Sequence, residues 1–534
     1  MPLPSQSTAL FLRHSTNRSP RVAAALEFTV DGHPVEVPDD GASLMEVLRD
    51  RLGISSVKDG CSPQGQCGCC TVWVDGKPRV SCVTPARRVA GRAITTLAGI
   101  PEKTRAGWGQ AFCAAGASQC GFCTPGIIMR LAGLEARSVE DRSRSAAESA
   151  LAAHLCRCTG WQTIVEAWEH FGTSAPDRDW GAAAQRAELE GGVPQEVGTA
   201  VSLGEGGFAD DTVPEGALVA LSDGRGGWAV GETVAEARAV AGKVQGRRTP
   251  DERPMPLKFP DGDWAVRLRT SWVEPAYLET DASWCAPGGE PASPLANGGA
   301  FGAKAASPIP GIARQLADEH GRPVRVLWSR EDTVRHGPKR PPVAIGIDAD
   351  GRGVVRVART PGVAAAIASV SPALLVDEVD IPGPPTSVVI RGAGWVEAAV
   401  ALSALDDGTG EIVAPGGGSA QAQWRQGTLR VQVRGGDPLD EIVLRSYCIG
   451  AAHMAYSWVT SEALTVDPQG EVHDLTIRSF GIVPASRMPP VEVEIEQSED
   501  PPVNCSDAAF AAVASAVWRA AGHPTDWPVG PIGD

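Results

Sequence analysis

The chain has 534 residues, 43% hydrophobic and 21% charged, with a formal net charge of −16. That length exceeds what one hydrophobic core usually holds, so three or more packed units are expected. The acidic balance argues against nucleic acid or an anionic membrane as partner, and no apolar run approaches a spanning length.

The first 26 residues hold Arg13, Arg18 and Arg21, with no twin arginine and no sustained apolar stretch. Residues 1–26 read as a disordered tail rather than a secretory signal, and a cytoplasmic location is expected. Residues 27–37 alternate apolar and polar around Asp31-Gly32, the pattern of a β-hairpin with a two-residue turn. Ser43 and Glu46 form a capping-box pattern ahead of Leu44, Val47, Leu48 and Leu52, which predicts an amphipathic helix ending at Gly53. A cysteine-rich loop follows, then Thr71–Val74, a second turn at Asp75-Gly76 and a strand reaching Cys82. Hairpin, helix, loop and hairpin predict a ferredoxin-like β-grasp domain over 27–100.

From about Arg105 the pattern turns helical. Trp108–Ala115, Gly126–Leu134, Ala146–Leu155 and Gln162–Phe171 read as four short helices of a domain spanning 101–172. Residues 173–212 are polar and glycine-rich and read as a linker. From 213 to 534, short strands alternate with helical stretches such as Val234–Val244, Gly311–Glu319 and Asp507–Ala521. The 61 glycines and 43 prolines fit many loops and short elements, and the fold class expected is α+β.

Thirteen cysteines in a reducing compartment point to metal or redox chemistry rather than disulfides. Ten of them lie between Cys61 and Cys158. Cys61, Cys67 and Cys70 share one glycine-bearing loop, and Cys82 comes from the next strand, the plant-type arrangement for [2Fe–2S]. The glycines let the loop curl and turn backbone N–H groups towards negatively charged sulfur. Cys69, between two of these, is expected to point away from them; it could swap with Cys70, but the Cys-Gly-x-Cys spacing favours Cys70. Cys120, Cys123, Cys156 and Cys158 form a second set, from a pair two residues apart and a pair one residue apart. Four soft ligands also suit tetrahedral zinc, which stays open as an alternative. Cys113, Cys285, Cys448 and Cys505 have no partner at ligand spacing and read as small buried hydrophobes.

At these residues the sequence resembles the xanthine dehydrogenase/aldehyde oxidoreductase family of molybdenum hydroxylases. The match is dense over 27–172, with five residues between Cys61 and Cys67 where many members have four. The resemblance implies one [2Fe–2S] cluster in each of the two N-terminal domains. It also implies that Gln119, just before Cys120, stands where the family touches molybdopterin. Further along, Trp228-Ala-Val-Gly-Glu-Thr resembles the end of the family's small α/β domain. Gly298-Gly-Ala-Phe-Gly-Ala-Lys304 resembles the glycine-rich loop passing the molybdenum, with Phe301 nearest to it. Arg391-Gly-Ala-Gly-Trp resembles a second cofactor-side loop, whose arginine faces the site. Residues 213–534 thus read as a shortened molybdopterin-binding-like region. Two departures stand out. Asn504-Cys505 replaces the Gly-Glu pair that carries the family's general base, so no catalytic residue is assigned. Only about fifty residues separate Arg391 from the family's final segment, where a full member has several hundred.

Three readings follow. The first is an iron–sulfur electron-transfer subunit of a molybdenum hydroxylase-type oxidoreductase, passing electrons through two [2Fe–2S] clusters. Its expected partners are a flavoprotein subunit carrying FAD, faced by the site near Cys61, and a separate molybdenum subunit. The second is a compact molybdopterin-dependent hydroxylase or dehydrogenase using Gln119, Phe301 and Arg391. The third is a structural protein with zinc at both cysteine sets.

Overall fold

The computed structural model describes residues 25–135, 142–172, 176–242, 254–294, 298–406 and 410–533. Residues 1–24 of the expected tail lie outside these ranges, whereas Ala25 and Leu26 already belong to the first strand. Ala25–Val30 and His33–Pro38 form the expected antiparallel hairpin. Asp31 and Gly32 both take positive φ, 52° and 84°, which matches the turn to the right-handed twist of the strands. The Asp31 carboxylate also accepts from the backbone N–H and the hydroxyl of Thr96, both at 2.7 Å. The five-stranded sheet runs in the order His33–Pro38, Ala25–Val30, Ala93–Thr95, Thr71–Val74, Lys77–Val80.

The helix after this hairpin begins as Leu44–Glu46, with Ser43 accepting from the Glu46 N–H at 3.2 Å. It widens into a π-type turn over Val47–Arg51. The Glu46 carboxylate pairs with Arg51 instead of returning to the cap, and Leu52 is outside the buried stripe.

Four helices follow at Glu102–Ala115, Thr124–Glu135, Arg144–Leu151 and Gln162–Glu169. Trp108 and Trp168 stack near-parallel at 6.2 Å in their core. The third helix ends at Leu151, four residues before the expected end. Leu155 N–H is used elsewhere, donating to the Cys67 carbonyl at 2.9 Å.

The stretch expected to be a linker is a packed element. Helix Trp180–Gly191 is capped by Asp179 and ended by Gly192 at φ 72°. It buries Ala183, Arg186, Ala187 and Glu190, the spacing of one helix face. A single turn follows at Thr199–Ser202.

Among the described residues the remaining chain holds three four-stranded sheets, and the fold is α+β. The largest C-terminal core packs helices Glu441–Thr460 and Ser506–Ala520 against each other, and the latter against strands Ser419–Arg425 and Thr428–Arg434. Charged groups tie this half to the N-terminal one. Arg49 holds Asp210 at 2.6 Å and Asp211 at 2.7 Å, while Arg325 holds Asp210 at 2.6 Å and Asp50 at 2.8 Å.

Candidate functional site

The first cysteine loop leaves the helix through Gly53 and closes onto strand Thr71–Val74. Cys61, Cys67, Cys70 and Cys82 are all buried. The Cys61 thiol contacts those of Cys67 and Cys82, and Cys82 in turn contacts Cys70. Backbone N–H groups already point at sulfur: Gln64 donates to Cys61 Sγ at 3.2 Å and Cys82 to Cys70 Sγ at 3.4 Å. Cys69 does not turn away as expected. Its sulfur lies against that of Cys67. A Cβ added at Gly60 would stand 3.0 Å from Cys69 Sγ and 3.1 Å from Cys67 Sγ. Val83, next to Cys82, is 53% exposed and lies over Gly65 of the same loop.

In the second set, Cys120 Sγ lies 3.5 Å from Cys158 Sγ, and the Cys123 and Cys156 thiols contact each other. The Thr159 hydroxyl stands 3.2 Å from Cys156 Sγ. All four are buried. Cys113, Cys285, Cys448 and Cys505 are buried outside both sets.

The two loops interlock. The hydrogen bond from Leu155 N–H to the Cys67 carbonyl joins a residue of the first set to the neighbour of Cys156. Gly126 is required here, since an added Cβ would come within 2.3 Å of the Gly68 carbonyl. His154 fills the space against Gly68, its Nε2 3.2 Å from Thr71 Oγ1. Burial pushes the His154 imidazole down to about 3, so it stays neutral around pH 7.

The C-terminal half grips both loops. Arg157, between Cys156 and Cys158, makes a bidentate pair with Glu462 at 2.6 and 2.8 Å and donates to the Pro275 carbonyl. Gly450 lets its helix press on the second loop: a Cβ there would lie 1.7 Å from the Cys158 carbonyl. On the first loop, Gln64 donates to Glu331 and to the Leu475 carbonyl, and Arg478 donates to the Gln66 carbonyl. Two four-thiolate sets with N–H donors, the first with Cys69 as a fifth thiol beside it, fit [2Fe–2S] clusters in their donor chemistry.

Gln119 and Phe301 lie beside the second set, and Arg391 is next to Phe301. Gln119 donates to the Cys158 carbonyl and Ser446 Oγ, both at 3.0 Å. The Arg391 guanidinium stacks over the Phe301 ring at 3.8 Å and donates to Ser506 Oγ and Asp507 Oδ1. The space left between Gln119, Cys158, Gly191, Phe301 and Tyr447 is a cavity of about 10 Å³, room for at most one water. A pterin cofactor needs a pocket on the order of 300 Å³ or more. The neighbouring space holds helix Trp180–Gly191. Its Glu190 accepts the backbone N–H groups of Cys505 and Ser506 at 3.3 and 2.9 Å. Arg186 pairs with Glu190 at 3.0 Å and donates to the carbonyls of Pro438, Val503 and Asp437. The residues present therefore do not fit molybdopterin in this arrangement. Asp507 is the partner of Arg391, and Asn504 Oδ1 caps that helix through the Asp507 N–H.

Arg157, Arg186, Glu190 and Glu462 escape sequence reading. Arg186 and Glu190 stand four apart in a polar stretch, which reads as a solvated pair; only the alanines at Ala183 and Ala187 hint at a buried face.

Fold and cysteine geometry together mark an iron–sulfur oxidoreductase. Residues 96–169 match the [2Fe-2S] binding domain family. Over 145 residues the chain is 42% identical to the xanthine dehydrogenase iron-sulfur-binding subunit of Escherichia coli O157:H7, covering 26% of this chain and 89% of that subunit. It is 43% identical over 134 residues to the aldehyde oxidoreductase of Megalodesulfovibrio gigas, covering 24% of this chain but 14% of that protein. The crystal structure of the aldehyde oxidoreductase from Desulfovibrio desulfuricans aligns with a TM-score of 0.71 at 14% identity, over 95% of this chain and 99% of that one. The chain belongs to the xanthine dehydrogenase/aldehyde oxidoreductase family of molybdenum hydroxylases.

Proposed function

We propose that this chain is the electron-transfer component of a molybdenum hydroxylase-type complex, with two [2Fe–2S] clusters held by Cys61, Cys67, Cys70, Cys82 and by Cys120, Cys123, Cys156, Cys158. Such clusters supply reversible one-electron storage at each set. The observation that carries the reading is the interlock of the two loops. One hydrogen bond, Leu155 N–H to the Cys67 carbonyl, spans from one ligand set to the other. Buried packing around it excludes water and keeps the surroundings rigid, which holds down reorganisation during transfer. The exposed edge at Val83 and Gly65 is where a flavin-bearing partner would receive electrons; flavin is the usual converter between one-electron and two-electron chemistry.

Space argues against substrate chemistry on this chain. The position where Gln119, Phe301 and Arg391 meet is filled by helix 180–191, and Asn504-Cys505 offers no carboxylate base. The compact-hydroxylase reading keeps one observation in its favour: Gln119 Oε1 and Arg391 Nε and Nη2 are buried without hydrogen-bond partners.

The test is paramagnetic resonance of the dithionite-reduced chain. Two distinct rhombic signals are expected, and Cys158→Ser should abolish one while sparing the other. Stoichiometric zinc with no visible absorbance would refute the assignment.

A further inference from the structure

Arg330 is fully buried. One terminal nitrogen, Nη2, donates to two backbone carbonyls, Gly60 at 2.7 Å and Leu278 at 2.8 Å. Its Nε and Nη1 have no hydrogen-bond partner. The carboxylates around it are committed elsewhere. Glu331 accepts from Gln64, Glu279 from Lys304, Asp281 from Tyr277 and Asp332 from Ser329, while Glu274 pairs with Lys339. An arginine cannot shed its proton at any ordinary pH, and a buried charge without a counter-charge costs several kcal/mol. Something must compensate this cation beyond the Tyr277 ring 5.9 Å away, and of its two carbonyl partners Gly60 is bonded to Cys61.

We infer that Arg330 is the buried counter-charge of the first cysteine set and raises that set's reduction potential. This rests on the cluster assignment above. Four thiolates and two sulfides outweigh the charge of two irons, so the site is anionic and gains one further negative charge when reduced. A fixed cation favours the reduced form more than the oxidised one, because the attraction grows with that charge. Little solvent screens it at full burial. The process is one electron entering from an external reductant, with no bond made or broken and no proton moved. Arg330 is a positioning and tuning residue, since it reaches the site through the Gly60 carbonyl. It comes from the capped turn Ser329–Asp332 of the C-terminal half, so that half sets the energetics of a site carried by the N-terminal domain.

The experiment is a redox titration of the full chain followed by paramagnetic resonance, with each rhombic signal read separately. Cys158→Ser identifies the second-set signal, which then serves as internal control. In Arg330→Met the first-set midpoint should move to more negative potential by about tenfold in the reduction equilibrium, about 59 mV for one electron. The second-set midpoint should hold. Arg330→Lys, which keeps the charge, should stay nearer the wild type; Arg330→Gln replaces the Met variant if that fails to fold. An unchanged first-set midpoint, or a lysine variant shifted as far as the neutral one, would overturn the inference. Absence of both signals in the wild-type chain would instead defeat the cluster assignment, so the two failures are distinguishable.

Discussion

Gly450 faces the Cys158 carbonyl with no space for a methyl group, the added Cβ falling 1.7 Å from that oxygen. Gly450→Ala must therefore push the second loop or its helix aside. The expected outcome is loss or broadening of the second-set resonance with the first-set signal intact, and a stability loss of about 1–3 kcal/mol by denaturant titration. Titratable residues make a second forecast. Burial holds His154 at about 3 and His453 at about 4, below the ordinary 6.5, so the unfolded chain takes their protons first. Their contribution to stability is full above about pH 6.5 and is lost as pH falls. Glu279 and Asp59, each raised to about 7 chiefly by burial, act in the opposite sense. These two carboxyls are neutral when folded and charged when unfolded, so they lose stability as pH rises between about 4 and 7. Two against two, these groups offset one another over that range. Below it the carboxyls are protonated in both states and His453 titrates as well, while His154 still resists protonation when folded down to about 3. Burial tends to raise Asp210, yet Arg325 and Arg49 outweigh it and hold its carboxyl below the usual range, so its contribution also disappears on acidification. Thermal melting should show a plateau from pH 7 to about 4.5 and a steep fall below it.

At the level of elements, what could be read from sequence was local. The hairpin at Asp31-Gly32 and the cysteine spacings were legible because turn chemistry and ligand geometry act over a few residues. The third helix was drawn too long because nothing local shows that Leu155 N–H leaves for the Cys67 carbonyl. Helix 180–191 was hidden for a related reason. Its glycine-rich flanks read as a linker, and its Arg186 and Glu190 find their partners some 250 and more residues away, at Asp437, Pro438, Val503 and Cys505. Arg330 likewise sits in a Ser-Arg-Glu-Asp turn whose capping role is visible, while its contact with Gly60 is not. The helix supplies a direct forecast. Arg186→Met leaves Glu190 buried without its cation, and removing one partner of a buried pair typically costs about 3–5 kcal/mol. Chemical denaturation of the variant should show that loss, and Arg186→Met with Glu190→Gln should recover part of it.

For the whole molecule, the decisive feature is that the C-terminal half is built onto the two cysteine loops. Arg157 with Glu462, Gly450 against Cys158, Gln64 with Glu331 and the Arg49, Asp210 and Arg325 cluster all join the halves. Where the halves meet, Gln119 and Phe301 line a cavity of about 10 Å³, and Arg391 stacks on Phe301 beside it. The fold is thus that of the family, with its cofactor space closed by its own helix. Metal and pterin content of the purified chain, expressed with its partners and then separated from them, tests this most directly. The account predicts about four iron atoms and four acid-labile sulfides per chain, with molybdenum and pterin absent from it. About one molybdenum with its pterin retained on this chain, or zinc in place of iron, would contradict it.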